Sequence, residues 1–420
     1  GQPAGQPAAR AASRPDGSSA GQGTAASAQQ PPSVPPQVDP QTAGAGSVPT
    51  TSSRMTVPGY PSGPAAPAEE KVDTGPLPSR ETLRREARAA SSRRGAGDAD
   101  VERAGELLKS VANIFSQRVV GQEQLRRALV TALMSSGHIL LESVPGLAKT
   151  TAAQTLASAV SGSFRRIQCT PDLMPNDIVG TQILNSSTGE MTTQLGPVHA
   201  NIVLLDEINR SSAKTQSAML EAMQERQTSI GGVVYPLPHP FMVLATQNPI
   251  EEEGTYVLPE AQMDRFLMKE VLTYPRPSEE ADVLDRISNG TFDQPVTGRP
   301  ISTDDVEWMQ RAAERVYVDP VIKQYIVALI NTSRGGGPRP VPGLDRQVRV
   351  GASPRGGIAL MKVAQAVALQ EGRTYVIPDD VRLLRHGVLR HRLVLTYDAL
   401  ADGVAPEAII DAIFAAVPTP

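Results

Sequence analysis

Apolar positions change period along this chain. From residue 98, Val101, Leu107, Leu108, Val111, Ile114 and Phe115 recur at helical spacing, and after the break at Val119-Val120-Gly121-Gln122 a second helix is expected over 123–135. Short apolar runs then alternate with helical stretches: strand 139–142, helix 149–160, strand 165–169, strand 201–205, helix 212–225 and strand 241–246. Continuous apolar strands interleaved with helices predict an α/β fold, a parallel sheet covered on both faces. The turn-rich segment 180–197 and the run Ile230-Gly231-Gly232-Val233 read as hairpins. Past about residue 275 strand patterning is expected to stop. Helical patterns at 278–288, 303–315, 320–333, 356–370, 378–392 and 405–416 predict a second, all-helical domain. Pro378-Asp379-Asp380 marks one helix start, with proline preset for the first turn and acids favouring the dipole.

Composition narrows this picture. Of 420 residues 40% are hydrophobic, but residues 1–78 are mostly Pro, Gly, Ala, Ser, Gln and Thr with almost no large aliphatics. Such a segment cannot offset its ordering entropy by burial, so a disordered tail is expected there. An Arg-rich linker or helix follows over 79–98, with Arg84, Arg85, Arg88, Arg93 and Arg94. The α/β core is placed at 99–275 and the helical domain at 276–420. The single cysteine, Cys169, excludes an intrachain disulfide and reads as core. No run of about 18 apolar residues and no charged-then-apolar leader is visible, so a soluble, cytoplasmic protein is expected. A net charge of −4 and 4% aromatic residues argue against a nucleic-acid channel or stacking platform. The histidines show no metal-ligand spacing.

The chemistry concentrates in two places. In Ser143-Val144-Pro145-Gly146-Leu147-Ala148-Lys149-Thr150-Thr151 a strand runs through a turn into a helix, so successive backbone N–H groups can face a polyphosphate. Lys149 would pair with the β and γ phosphates, and Thr150 would offer its hydroxyl to Mg²⁺. The phosphate-loop pattern wants glycine at 143 and 148, where this chain has Ser143 and Ala148; a β-carbon there restricts positive φ. Downstream, Ile202-Val203-Leu204-Leu205 leads into Asp206 and Glu207. Asp206 would lie at a strand's C-terminal edge as a second Mg²⁺ contact, and Glu207 would polarise an attacking water. The span from Lys149 to Asp206 leaves room for an intervening strand and helix.

Longer motifs carry a family resemblance. Gly196-Pro197-Val198-His199-Ala200-Asn201, Asp206-Glu207-Ile208-Asn209-Arg210, Ala245-Thr246-Gln247-Asn248-Pro249, Glu253-Gly254-Thr255-Tyr256 and Pro259-Glu260-Ala261-Gln262-Met263-Asp264-Arg265-Phe266 closely resemble the MoxR family of AAA+ ATPases, from about Val101 to the end. The resemblance implies an AAA+ P-loop NTPase with a three-layer α/β core and a helical lid. It further implies a ring, commonly hexameric, with ATP and Mg²⁺ between neighbouring subunits. Family members are chaperone-like ATPases that mature or activate partner complexes, often with von Willebrand factor A domain proteins.

By that resemblance Asn248 matches sensor 1, Arg265 an arginine finger presented to a neighbour, and Arg355 in Gly351-Ala352-Ser353-Pro354-Arg355-Gly356 sensor 2 on the lid. Val120 and Gly121 lie where the family contacts adenine. The insert around 185–195 resembles a pore-side insert that touches clients. Arg210 competes as a second trans-acting arginine. Within the family glycine is usual at 143, so Ser143 is expected to slow turnover while binding survives. Two alternatives stand beside the ATP-driven chaperone: a nucleotide-gated binding switch with poor hydrolysis, and a metal-chelatase-like ATPase subunit.

Overall fold

The computed structural model describes residues 95–144, 146–187, 189–249 and 256–420. The expected tail, most of the Arg-rich linker, Pro145 and the Glu253-Gly254-Thr255 motif lie outside the described residues.

Five parallel strands form the central sheet: β1 (Ile139–Glu142), β2 (Phe164–Gln168), β5 (Ile202–Asp206), β8 (Met242–Gln247) and β9 (Met268–Val271), in the order β2-β5-β8-β1-β9. Alternation assigns the faces. Ile139, Leu141, Ile202, Leu204, Met242 and Leu244 pack into one core cluster with helices Asp98–Arg118, Glu123–Met134 and Lys149–Ala159. Leu140, Val203, Leu205, Val243 and Ala245 point the other way, against Met219, Leu220 and Met223 of helix Ala213–Glu225. Both faces are covered over the inner strands, so β1, β5 and β8 are apolar almost throughout, while the edge strands β2 and β9 carry charged residues.

Two hairpins leave this core, β3 (Gly180–Leu184) with β4 (Met191–Leu195) and β6 (Gln227–Ile230) with β7 (Val233–Pro236). Both fall where the turn signals lie. They touch through Tyr235 Oη, which donates to Thr193 Oγ1 at 3.0 Å.

The C-terminal region is helical, with Thr303–Glu314, Pro320–Thr332, Pro354–Gln370 and Pro406–Ala416 as its longer members. Three features correct the sequence reading. β9 was not anticipated: Met-Lys-Glu-Val has no apolar run, and it is a strand because it pairs with β1 while Gln124 and Arg390 serve its buried Glu270. Strands do not stop at 275, because β10 (Val348–Val350) pairs with β11 (Val394–Leu395). The helix expected over 378–392 breaks at Leu384 into Pro378–Leu383 and Arg385–Leu389.

The lid packs into the same core cluster as the Lys149 face of the sheet. Arg392, almost wholly buried, fastens the two: it pairs with Asp264 at 2.8 Å and donates to Phe266 O and Leu267 O at 2.7 and 3.1 Å. Among the described residues no helix is long and apolar enough to cross a membrane.

Candidate functional site

β1 continues one ladder step past its end, where Ser143 N–H donates to Gln247 O at 3.2 Å. The chain then turns through Gly146 at φ +87 and Ala148 at φ +53 into helix Lys149–Ala159. No side chain caps that helix, so its first N–H groups are available to a phosphate. Ala148 therefore holds the left-handed conformation for which the loop pattern prefers glycine, at a cost of about 1 kcal/mol. Ser143 does not have positive φ; it is buried and its Oγ donates to Val144 O at 3.0 Å. The backbone objection thus applies to Ala148 and not to Ser143. Lys149 Nζ donates to Ser143 O at 3.4 Å, lying back across the loop.

A cleft of about 1070 Å³ opens beside this loop, lined by Gly146, Leu147, Ala148 and Thr151 on one side and by Val119 and Val120 on the other. Tyr274, Leu284, Phe292 and Val296 complete an apolar wall suited to a flat heterocyclic base. Gly121 lines the adjoining pocket at φ +74, where an added Cβ would meet Glu279 at 2.5 Å. Val144 is half-buried and packs against the core. Thr150 takes the second position of the helix.

At the same edge of the sheet, Thr246 organises both acids. Its Oγ1 donates to Asp206 Oδ1 and accepts from Glu207 N–H, each at 2.8 Å. Glu207 has φ +59, a left-handed conformation that non-glycine residues seldom hold. Asp206 Oδ2 accepts from Arg166 at 2.6 and 3.1 Å, and Glu207 Oε2 accepts from Gln168 at 3.1 Å and pairs with Arg210 at 3.1 Å. Arg210 is thereby engaged within its own chain. Asn248 follows β8 directly and is buried.

Arg166, Gln168 and Thr246 were missed from sequence. Arg166 and Gln168 share a face of β2 by their two-residue spacing, but only the register pairing Gln168 with Asp206 reveals what that face meets. Among the described residues no cluster of three His, Cys, Asp or Glu could hold a metal alone. One hydroxyl, Thr150, and one carboxylate, Asp206, instead suit a magnesium that arrives with phosphate oxygens.

The second constellation lies at the opposite edge. A cavity of about 290 Å³ is lined by Ser136, Gly137 and His138 just before β1, by Leu267 just before β9, and by Arg226, Arg265, Arg355, Lys362 and Arg392. Ser353 caps helix Pro354–Gln370 and donates to Asp264 Oδ2 at 2.8 Å, which docks Arg355 beside Arg265. Arg265 Nη1 donates to Leu220 O at 3.0 Å, and its Nε is buried without a partner. Arg355, matched to sensor 2 by resemblance, lines this cavity and not the cleft beside the phosphate loop. The length of β1, about 13 Å at 3.3 Å per residue, separates the two edges.

Burial pushes the His138, His199 and His391 imidazoles below their ordinary value. His138 is pushed down to about 4 by desolvation and then by Arg226, while Nε2 hydrogen-bonds Met223 O and Nδ1 accepts from Val243 N–H. Burial likewise pushes the Cys169 thiol up to about 12, in keeping with a core residue.

A family model described as "ATPase family associated with various cellular activities (AAA)" matches residues 138–268, and one described as "AAA lid domain" matches 344–413. The chain is 48% identical to chaperone MoxR1 of Mycobacterium tuberculosis over 302 residues, covering 72% of this chain and 79% of that protein. It is 44% identical to the uncharacterized protein YeaC of Bacillus subtilis over 316 residues, 75% of this chain and 95% of that one. A crystal structure of a putative ATPase from Cytophaga hutchinsonii superposes with a TM-score of 0.71 at 40% identity, covering 80% of this chain and 99% of its own.

Proposed function

The chain belongs to the MoxR family of AAA+ ATPases, and on that premise we propose that it hydrolyses ATP with Mg²⁺ at sites shared between neighbouring subunits of a ring, commonly hexameric. The work would be chaperone-like remodelling or activation of partner protein complexes in the cytoplasm, with von Willebrand factor A domain proteins as candidate partners. One observation carries this reading. Lys149, Asp206, Glu207 and Asn248 lie at or just past the C-terminal ends of β1, β5 and β8, while Arg265 and Arg355 line one cavity at the opposite edge, a strand's length away.

In this mechanism the base lies against Val120 and Tyr274, and the loop N–H groups and Lys149 hold the β and γ phosphates. Thr150 and Asp206 would hold a magnesium ion, which when bound would offset the charge of the phosphate oxygens. Glu207 orients a water in line with the γ phosphate and accepts its proton. Asn248 keeps the water and terminal phosphate aligned. A neighbour's Arg265 and Arg355 neutralise charge as the bond breaks. Client contact falls to the tip of the β3–β4 hairpin, where Leu184 and Met191 form an exposed cross-strand pair at 58% and 57% accessibility.

A nucleotide-gated switch is the second reading, favoured by the pairing of Asp206 with Arg166 and of Glu207 with Arg210. Phosphate release across a protein concentration series, beside Glu207→Gln, separates the two. Specific activity should rise steeply with concentration and fall about 10²-fold or more in the variant. Activity independent of concentration would contradict a shared site; tight binding without turnover would leave only the switch.

A further inference from the structure

The cationic cavity holds more positive charge than its arginines at 265 and 355 supply. Five cationic side chains line it, Arg226, Arg265, Arg355, Lys362 and Arg392, against one acid, Asp264. That acid is committed: Oδ1 accepts from Arg392 at 2.8 Å and Oδ2 from Ser353 at 2.8 Å. Arg226 donates to Ser136 O at 2.6 Å, and a carbonyl does not cancel its charge. Among the described residues neither Arg355 nor Lys362 is ion-paired. Four like charges around so small a space repel one another, and the cost is relieved by a polyanion. Residues 355, 358, 359 and 362 all line the cavity, the one-face row of helix Pro354–Gln370. Lys362 therefore stands about 10 Å along the axis from Arg355. That separation lets one end of a phosphate chain meet Arg355 while a flexible lysine stem reaches the other.

We propose that Lys362 is a further substrate-contacting residue, a lysine that each subunit extends onto the phosphate chain of its neighbour's ATP. The proposal rests on the shared-site reading above and deepens it. Arg265 and Arg355 act on the terminal phosphate, where charge moves during reaction. Lys362 holds the inner phosphates, whose charge changes little, and so contributes equally to ground and transition states.

The test uses the full chain with ATP and Mg²⁺. Lys362→Met keeps the stem and removes the charge; Lys362→Arg keeps the charge. Lys362→Met should raise KM roughly tenfold or more, the worth of a charged hydrogen bond, with kcat nearly unchanged. Lys362→Arg should stay close to the unsubstituted protein. Mixing Lys362→Met with Lys149→Ala subunits should recover low-KM turnover that neither has alone, because the second supplies an intact Lys362 to the first. An unchanged KM in Lys362→Met and in the parallel Lys362→Gln would overturn the proposal. So would a raised KM that mixing does not recover, when an Arg265→Ala mixture with Lys149→Ala does recover turnover. That pair of results would leave the shared site standing and place Lys362 within its own subunit. Failure of the Arg265→Ala mixture as well would instead sink the shared-site reading.

Discussion

The two edges of the central sheet carry opposite chemistry. Where the strands end lie an apolar cleft, an uncapped helix and the oxygen donors Thr150, Asp206 and Glu207, which we propose receive a base, a phosphate chain and a cation. Where the strands begin, Arg226, Arg265, Arg355 and Lys362 surround a small cavity whose one acid is already committed. A strand's length keeps the two apart within one chain, and on the proposed function each edge is half a site. Complementary halves on opposite edges are what a closed head-to-tail ring requires, since every subunit then offers its cationic edge to the next subunit's cleft.

Breaking the cationic half should have the largest effect. Arg265→Ala should lower hydrolysis on the order of 10³-fold while nucleotide affinity, followed by fluorescence titration, stays near that of the unsubstituted protein. Mixing with Lys149→Ala should recover turnover. Full activity in Arg265→Ala would remove the comparison's functional meaning.

Acid should destabilise the fold through the buried histidine beside the cationic cavity. His138 lines that cavity, and burial there pushes its imidazole down to about 4 from the ordinary 6.5. Above pH 6.5 it is neutral both folded and unfolded, and the fold keeps its full stability. As pH falls from 6.5 towards 4 the unfolded chain takes up a proton that the native state refuses, removing up to about 3 kcal/mol. His391, also held neutral by burial, acts with the same sign. Denaturant titrations between pH 7 and 4.5 should show this slope, and His138→Gln should flatten it whatever its baseline stability. A slope unchanged in His138→Gln would assign the acid sensitivity elsewhere.

The smallest effect sharpens the carboxylate edge. Arg166, 48% exposed, occupies the oxygen of Asp206 that a cation would use. Its removal in Arg166→Met should tighten magnesium binding by up to about fivefold, the range of a half-exposed ion pair. Calorimetry with a non-hydrolysable nucleotide measures this directly. Weaker binding in Arg166→Met would mean that the guanidinium supports the site and does not compete for it.

Much of this was legible in the residues. The apolar runs ending in Glu142 and Asp206, the turn before Lys149 and the shift to helical periodicity after 275 all express local preferences, and the elements formed close to where those preferences lie. The loop is contiguous because a phosphate site at a helix N-terminus needs only one turn of chain. What escaped depends on partners distant in sequence. β9 has no strand pattern of its own and exists through pairing with β1; helix 378–392 reads as continuous until the packing around Leu384 breaks it.

The chain by itself determined that a nucleotide loop, a pair of acids and two marked arginines exist, because each is written in consecutive residues. Only the tertiary structure decided how they divide. The order β2-β5-β8-β1 brings Arg166 and Thr246 onto Asp206, and the docking of Ser353 on Asp264 turns Arg355 away from Lys149 and towards Arg265. The physical reason is that strand order and helix docking are set by which surfaces bury each other best over the whole fold, and no local run of residues encodes that competition.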